Sequence, residues 1–248
     1  MSQRSRSEGA AGVALVTGAA RRIGLSIARK LAAAGYEVVL HASEASFEEA
    51  RSAAAAIVAQ GGRAAAIAAD LADAAQTEGL IAAATERVGP LALLVNNASI
   101  FEADAANDFL AGRFDEIFAV NLRAPCMLAA RFAAQAPSGA SVVNIVDQRV
   151  LNLSADCFSY TLSKAALWAA TQTMAQSFAP GVRVNAVGPG PVLPNSRDGE
   201  AGFRREVERA PLRRAVDPAD VADAVLYLAG ARNVTGQMIA VDAGQHLG

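Results

Sequence analysis

Val13-Ala-Leu-Val-Thr-Gly-Ala-Ala-Arg-Arg-Ile-Gly-Leu25 sets the architecture of the chain. Val13 to Val16 are continuously apolar and read as a short strand. From Leu25, apolar residues at Ile27, Ala28 and Leu31 follow a helical spacing that ends at Gly35. Between them lies a glycine turn, Thr17 to Gly24. Its glycines let the backbone approach a pyrophosphate, and the helix N-terminus behind them offers amide donors. Such a turn also occurs as a plain strand-to-helix connection. Its place in the first strand–turn–helix unit favours the dinucleotide reading.

The same alternation continues along the chain. Strands are predicted at 37–40, 64–69, 91–95, 141–146, 182–187 and 237–241, and helices at 47–60, 73–88, 160–178 and 218–228. A long helical stretch over 109–136 contains Pro125, which is expected to kink or segment it. Short, continuously apolar strands between helices of this length indicate βαβ units and a parallel sheet covered on both faces. The segment 188–214 has no clear period, holds only a weak helix at 203–209, and reads as a substrate loop.

With 248 residues, 53% of them hydrophobic, the chain can hide roughly three quarters of its unfolded surface in one α/β domain. Residues 1–11 are polar and small and are expected to be a disordered tail, leaving 12–248 as the domain. The net charge of −2 and the lack of a basic block point away from nucleic acid and membrane surfaces. No apolar run is expected to reach the ~18 residues of a membrane span. Cys126 and Cys157 form no Cys-x-x-Cys pair and fit a reducing, cytoplasmic setting, and no metal site is assigned.

Chemistry enters at Tyr160 and Lys164. Four residues apart on one predicted helix, they share a face. A nearby ammonium favours the phenolate and brings the phenol's pKa down from about 10 toward a usable acid or base. Asp147 follows the predicted strand 141–146 and stands thirteen positions before Tyr160. The bland alternative, a surface tyrosine, a solvated lysine and a turn aspartate, fits any one of these residues alone.

The cofactor type is legible after the second strand. NAD-binding turns place a carboxylate there for the ribose 2′-hydroxyl, but this chain reads His41-Ala-Ser43. Arg21, Arg22 and Ser43 can instead meet a 2′-phosphate, which favours NADP(H). Glu44 would oppose this if it pointed inward.

Taken together, Thr17-Gly18…Gly24, Asp70, Asn96-Asn97-Ala98, Asn121, Tyr160…Lys164, Gly188-Pro189-Gly190 and Val241-Asp242-Ala243-Gly244 resemble the short-chain dehydrogenase/reductase family over 13–244. The resemblance implies a single-domain, Rossmann-type doubly wound parallel sheet of about seven strands, assembled as a homotetramer. It implies a cofactor site built from Gly18, Arg21, Arg22, Ile23, Gly24 and Ser43. Asp70, Leu71, Asn97, Ala98 and Ser99 extend that site, and Pro189 and Gly190 flank the nicotinamide. Tyr160 would be the proton donor, Lys164 would orient the ribose and lower the tyrosine's pKa, and Asn121 would support a proton-relay water. Two departures stand out: Arg22 replaces the turn's middle glycine, and Asp147 replaces the active-site serine. With Asn97-Ala-Ser-Ile-Phe101, they are similar to the pteridine reductase and dihydromonapterin reductase branch. There Arg22, Ser99, Phe101, Asp147 and Tyr160 would contact a pterin-like substrate. The loop after Gly190 shows little match to that branch.

Asp147 carries a separate argument. A serine donates to a carbonyl, whereas an ionised carboxylate only accepts. Ketone reduction builds negative charge on oxygen, and two like charges about 4 Å apart repel by about 4 kcal/mol at an effective dielectric of 20. Reduction of a protonated C=N bond builds no such conflict, and pterin N–H groups suit an acceptor. The argument requires Asp147 to face the cleft and not merely cap a turn. Phe101 is read equally as a stacking surface and as core, and Ser99 as donor or cap. Trp168 reads as core or interface. His41 reads as a strand end, and His246 as a residue able to reach a neighbouring subunit.

The leading reading is thus an NADPH-dependent reductase of a dihydropteridine (monapterin, biopterin or folate class). The alternatives are a carbonyl or alcohol dehydrogenase, such as a 3-oxoacyl reductase, and a non-catalytic NADP-binding regulatory protein. The intact Tyr160, Lys164 and Asn121 argue against the last.

Overall fold

The computed structural model describes residues 11–194 and 199–248. Residues 1–10 of the expected tail and 195–198 of the expected loop lie outside the described residues. Seven strands, β1 (Val13–Val16), β2 (Glu37–Ala42), β3 (Arg63–Ala68), β4 (Leu93–Asn96), β5 (Ala140–Ile145), β6 (Val182–Pro189) and β7 (Met238–Val241), form one sheet. All neighbours pair in parallel, in the order β3-β2-β1-β4-β5-β6-β7. The order reverses between β1 and β4, so the connections after these strands leave on opposite sides and open a crevice at their C-terminal ends.

The strand centres are largely apolar on both sides because both faces of the sheet are covered. Ala14, Val16, Leu93 and Val143 pack under α1 (Arg22–Ala33), α2 (Phe47–Ala59) and α8 (Pro218–Gly230). Val13, Leu15, Leu94 and Val142 pack under α3 (Ala74–Val88), α5 (Ala124–Gln135) and α6 (Phe158–Ser177). The predicted doubly wound sheet is the observed one, with strand ends shifted by one or two residues.

Three local expectations are sharpened or changed. The stretch 109–136 holds α4 (Ala111–Phe118) and α5 joined by a π-turn at Ala119–Arg123, so the irregularity precedes Pro125, which sits in the first turn of α5. Proline has no N–H to donate to the carbonyl four residues back, that of Asn121, and the turn widens there, with Ala124 N–H donating to Ala119. The run Ala111–Gln135 also meets the length and apolarity of a membrane span, contrary to expectation, but half of that window is buried in this fold. Finally, the weak helix expected at 203–209 is present and starts four residues earlier, as α7 (Gly199–Arg209). Among its described residues only Gly202 is buried, so it lacks the apolar stripe by which a helix is recognised.

Buried polar groups fix the ends that matter. Asn96 on β4 donates to Asn144 Oδ1 on β5 at 2.8 Å, Asn144 donates to Thr171 Oγ1 on α6 at 2.8 Å, and Thr171 donates to Leu167 O. All three residues are fully buried, or nearly so. The chain anchors α6 over the end of β5. Thr171→Val keeps the shape but leaves the Asn144 amide unpaired, at a cost of about 1–3 kcal/mol. Thermal unfolding should show a Tm lower by roughly 2–4 °C per kcal/mol, and an unchanged Tm would remove this role.

His41 is more than a strand end. Its Nδ1 accepts from Gly18 N–H at 3.3 Å and its Nε2 lies 3.1 Å from Ala69 O, which ties the ends of β1, β2 and β3 together. Burial brings its pKa from 6.5 to about 4, against a hydrogen bond to Ala69, so the folded ring stays neutral where the unfolded one is charged. The stabilisation is therefore complete above about pH 6.5 and is lost as pH falls toward 4, by about 2–3 kcal/mol at pH ~4.5. Urea unfolding of the parent and His41→Asn at about pH 7 and pH 4.5 checks this. The parent should lose more stability between the two than the variant, and equal losses would refute it.

Candidate active site

The crevice is a trough of two joined chambers, ≈ 580 Å³ and ≈ 500 Å³, that share Arg21, Arg22, Ile23, Asn97 and Ser99 as walls. Gly18, Gly24, Ser43, Asp70, Leu71 and Ala98 complete the first chamber among the predicted residues. Phe101, Asp147, Tyr160, Lys164, Pro189 and Gly190 complete the second. Among the site residues singled out from sequence, Asn121 alone lies behind the wall.

The first chamber is shaped for a phosphate-bearing chain. α1 starts without a side-chain cap and without an acidic residue in its first turn, so its leading amides remain available to an anion. A Cβ on Gly24 would meet Gly18 O at 2.2 Å and Asn97 Nδ2 at 2.5 Å, so only glycine fits. Arg22, where the turn departs from glycine, still adopts φ +54°. Its guanidinium donates to Pro194 O at 3.2 Å and so links the turn to the substrate side. Asn97 Nδ2 donates to Thr17 O and Gly18 O at 2.8 and 3.0 Å, and Thr17 Oγ1 accepts from Asn97 and Ala98 N–H. Asp70 is exposed and holds its own loop by accepting from Ala72 N–H. Ser43 is joined by Ser46, which the sequence reading missed, with their hydroxyls 3.3 Å apart. Glu44 is exposed and does not line the chamber, which removes the objection it raised. These residues fit a dinucleotide carrying a 2′-phosphate.

In the second chamber, Tyr160 OH donates to Asp147 Oδ2 at 2.9 Å. Asp147 both faces the cleft and caps the turn after β5, because its Oδ1 accepts from Arg149 N–H at 2.9 Å. The two readings left open for it are therefore both realised. The phenol's pKa is not lowered in this arrangement. Burial, then the Asp147 charge and hydrogen bond, hold Tyr160 well above its ordinary value. Lys164 Nζ is turned to Ile145 O at 2.8 Å and lies 5.7 Å from the phenol ring centre. Burial brings the lysine down to about 8, with Asp147 opposing. Burial also raises Asp147, against Arg149, its backbone bond, Tyr160 and Lys164. The cluster thus pairs a phenol that keeps its proton with a lysine that exchanges one near neutrality.

Asn121 sits in the π-turn, fully buried. Its Nδ2 donates to Ile100 O and Ser163 Oγ, and its Oδ1 accepts from Ile100 N–H and Ser99 Oγ–H. Its side chain thereby joins the strand-end loop to α6. Phe101 meets Tyr160 edge-on, with ring centres 4.7 Å apart at 81°, and its half-buried ring lines the chamber. Asp104, on the same loop, was missed: it accepts from Ser159 N–H at 3.0 Å and from the Ser159 hydroxyl. The sequence signal was Cys157 at the helix start, which brings no side-chain oxygen to cap it and leaves the first amides to a distant acceptor. Arg149, Gln148 and Gln245 also line the chamber and were not anticipated. Trp168 packs beside Val146 and Leu167 as core, and His246 is held 2.7 Å from Asp242 of its own chain.

Comparison with known proteins agrees with this geometry. The family model described as Enoyl-(Acyl carrier protein) reductase matches residues 18–246. A solved structure of FolM Alternative dihydrofolate reductase 1 from Brucella canis, complexed with NADP, is 44% identical with a TM-score of 0.93. The match covers 97% of this chain and 96% of that one. A putative ketoacyl reductase of granaticin polyketide synthesis from Streptomyces violaceoruber is 36% identical, covering 95% of this chain and 96% of that protein. A 3-oxoacyl-(acyl-carrier-protein) reductase from Staphylococcus aureus is 31% identical, covering 94% and 98%. The chain belongs to the short-chain dehydrogenase/reductase family and is an oxidoreductase of that family.

Proposed function

We propose that the protein is an NADPH-dependent reductase of the C=N bond of a pteridine-type substrate. The observation that carries this reading is Asp147: a carboxylate, 2.9 Å from the phenol of Tyr160, stands where most of the family carries a serine. Support comes also from Phe101 in the same chamber and from the likeness to a dihydrofolate reductase solved with NADP. Arg21, Ser43 and Ser46 in the first chamber are suited to the 2′-phosphate.

When bound, the nicotinamide cofactor supplies the hydride. Gly18, Gly24 and the leading amides of α1 would hold its phosphates, and Pro189 and Gly190 in the second chamber would flank its nicotinamide. Asp147 accepts N–H groups of the heterocycle and stabilises positive charge on the ring, as ketone reduction would not require. Phe101 offers a flat face to the ring, worth about 0.5–1.5 kcal/mol beyond burial. Tyr160 supplies the proton to nitrogen. Lys164, with a pKa of about 8, is the neighbouring group that exchanges a proton near neutral pH, 5.7 Å from the phenol ring centre. Carbonyl reduction is the second reading: burial raises Asp147, and a protonated carboxyl would donate as a serine does.

Two measurements check the assignment. Tyr160→Phe should lower kcat about 10²- to 10⁴-fold while NADPH binding persists. Retained turnover would exclude Tyr160 as the acid. Asp147→Ser removes a charge-assisted hydrogen bond of about 1.5–3 kcal/mol, so kcat/KM for a dihydropteridine should fall roughly 10- to 150-fold while ketone turnover rises. Unchanged pterin kinetics, with high ketone turnover in the parent, would favour the carbonyl reading. Initial rates should also be higher with NADPH than with NADH at equal concentration, and the opposite order would overturn the cofactor assignment.

A further inference from the structure

Behind Asp147 stands a cation that the turn after β5 places there. Arg149 is 15% exposed, and its Nε, buried, lies 3.7 Å from Asp147 Oδ1 with no hydrogen-bond partner among the described residues. Its own N–H donates to that same oxygen at 2.9 Å. On the far side its Nη1 donates to Ser154 Oγ at 3.0 Å and to Asp156 Oδ1 and O at 3.4 Å. Ser154 in turn donates to Asp156 Oδ1 at 2.6 Å. The guanidinium is thus gripped from the exposed loop and turned toward the carboxylate, whose other oxygen takes the Tyr160 hydroxyl.

We infer that Arg149 is a positioning residue that keeps Asp147 a hydrogen-bond acceptor, and so sets the preference for substrates bearing N–H groups over ketones. The inference rests on the pteridine reading for its substrate but not for its electrostatics. Burial drives Asp147 toward its protonated form, and Arg149 is the first of the groups that oppose it. The other charged or titratable groups around this carboxylate are Tyr160 and Lys164 from α6. Arg21 and Arg22 of the first turn and Glu206 of α7 line the same chamber. Arg149 alone combines a main-chain bond to Asp147 with a side-chain charge on the same oxygen. Remove that charge and Asp147 takes up its proton at higher pH. A protonated Asp147 donates, which is what a ketone oxygen requires.

The test titrates Asp147 directly, by infrared difference spectroscopy of its carboxyl band, identified by its loss in Asp147→Asn. The same samples are followed by kcat/KM against pH for a dihydropteridine and a 3-oxoacyl thioester, with NADPH binding and thermal unfolding as controls. In Arg149→Met the Asp147 midpoint and the acidic limb of the pterin profile should both rise by about one pH unit or more. The pterin-to-ketone ratio should fall about tenfold near pH 7, and Arg149→Lys should restore most of it. A folded Arg149→Met that binds NADPH with its midpoint unmoved overturns the inference. Should the methionine variant not fold, Arg149→Gln replaces it under the same criteria. The infrared midpoint needs no substrate. A moved midpoint without pterin turnover in the parent would sink the pteridine reading and leave the positioning role standing.

Discussion

The hydrogen bond from Tyr160 to Asp147, 2.9 Å long, is the contact on which the proposed chemistry rests. It joins the residue just past the end of β5 to the first turn of α6, across a thirteen-residue excursion that includes the Arg149 turn. It forms only if strand and helix are seated together, which the Asn96–Asn144–Thr171 chain ensures from beneath and Asp104 ensures at the helix N-terminus. The same contact has an electrostatic consequence. Burial first, and then the carboxylate beside it, raise the phenol, so the tyrosine keeps its proton through neutral pH.

Much of this was legible in the sequence. The strands are short apolar runs because both faces of a doubly wound sheet are covered, and that pattern survives without any tertiary information. The cofactor turn was legible because glycine is needed where another backbone passes within 2.2 Å of a would-be Cβ. Residues grouped by their place at strand ends, from Gly18 to Gly190, do assemble around one trough.

What sequence did not reveal depends on direction and on distance along the chain. Lys164 shares a helix face with Tyr160, but spacing does not say that its ammonium turns to Ile145 O instead of the phenol. Arg149 looks like one more surface arginine until the turn folds it against Asp147. Asp104 is fifty-five residues from the amide it caps, and His41 bridges three strand ends that pattern alone does not bring together. α7 was legible only as a weak helix over 203–209, and its first turn was missed, because a polar helix on the surface has little period to read.

The fold is shared by reductases of ketones and of heterocycles, so overall similarity does not choose between them; on the proposed reading the charge state of one carboxyl does. The most direct measurement is the steady-state kcat/KM of the unmodified protein with NADPH, for a dihydropteridine and for a 3-oxoacyl thioester, side by side near pH 7. An ionised Asp147 opposes a developing oxyanion by about 4 kcal/mol, which predicts a preference for the dihydropteridine of two orders of magnitude or more. Equal or greater efficiency with the ketone would contradict the account, because Asp147 would then be acting as a donor.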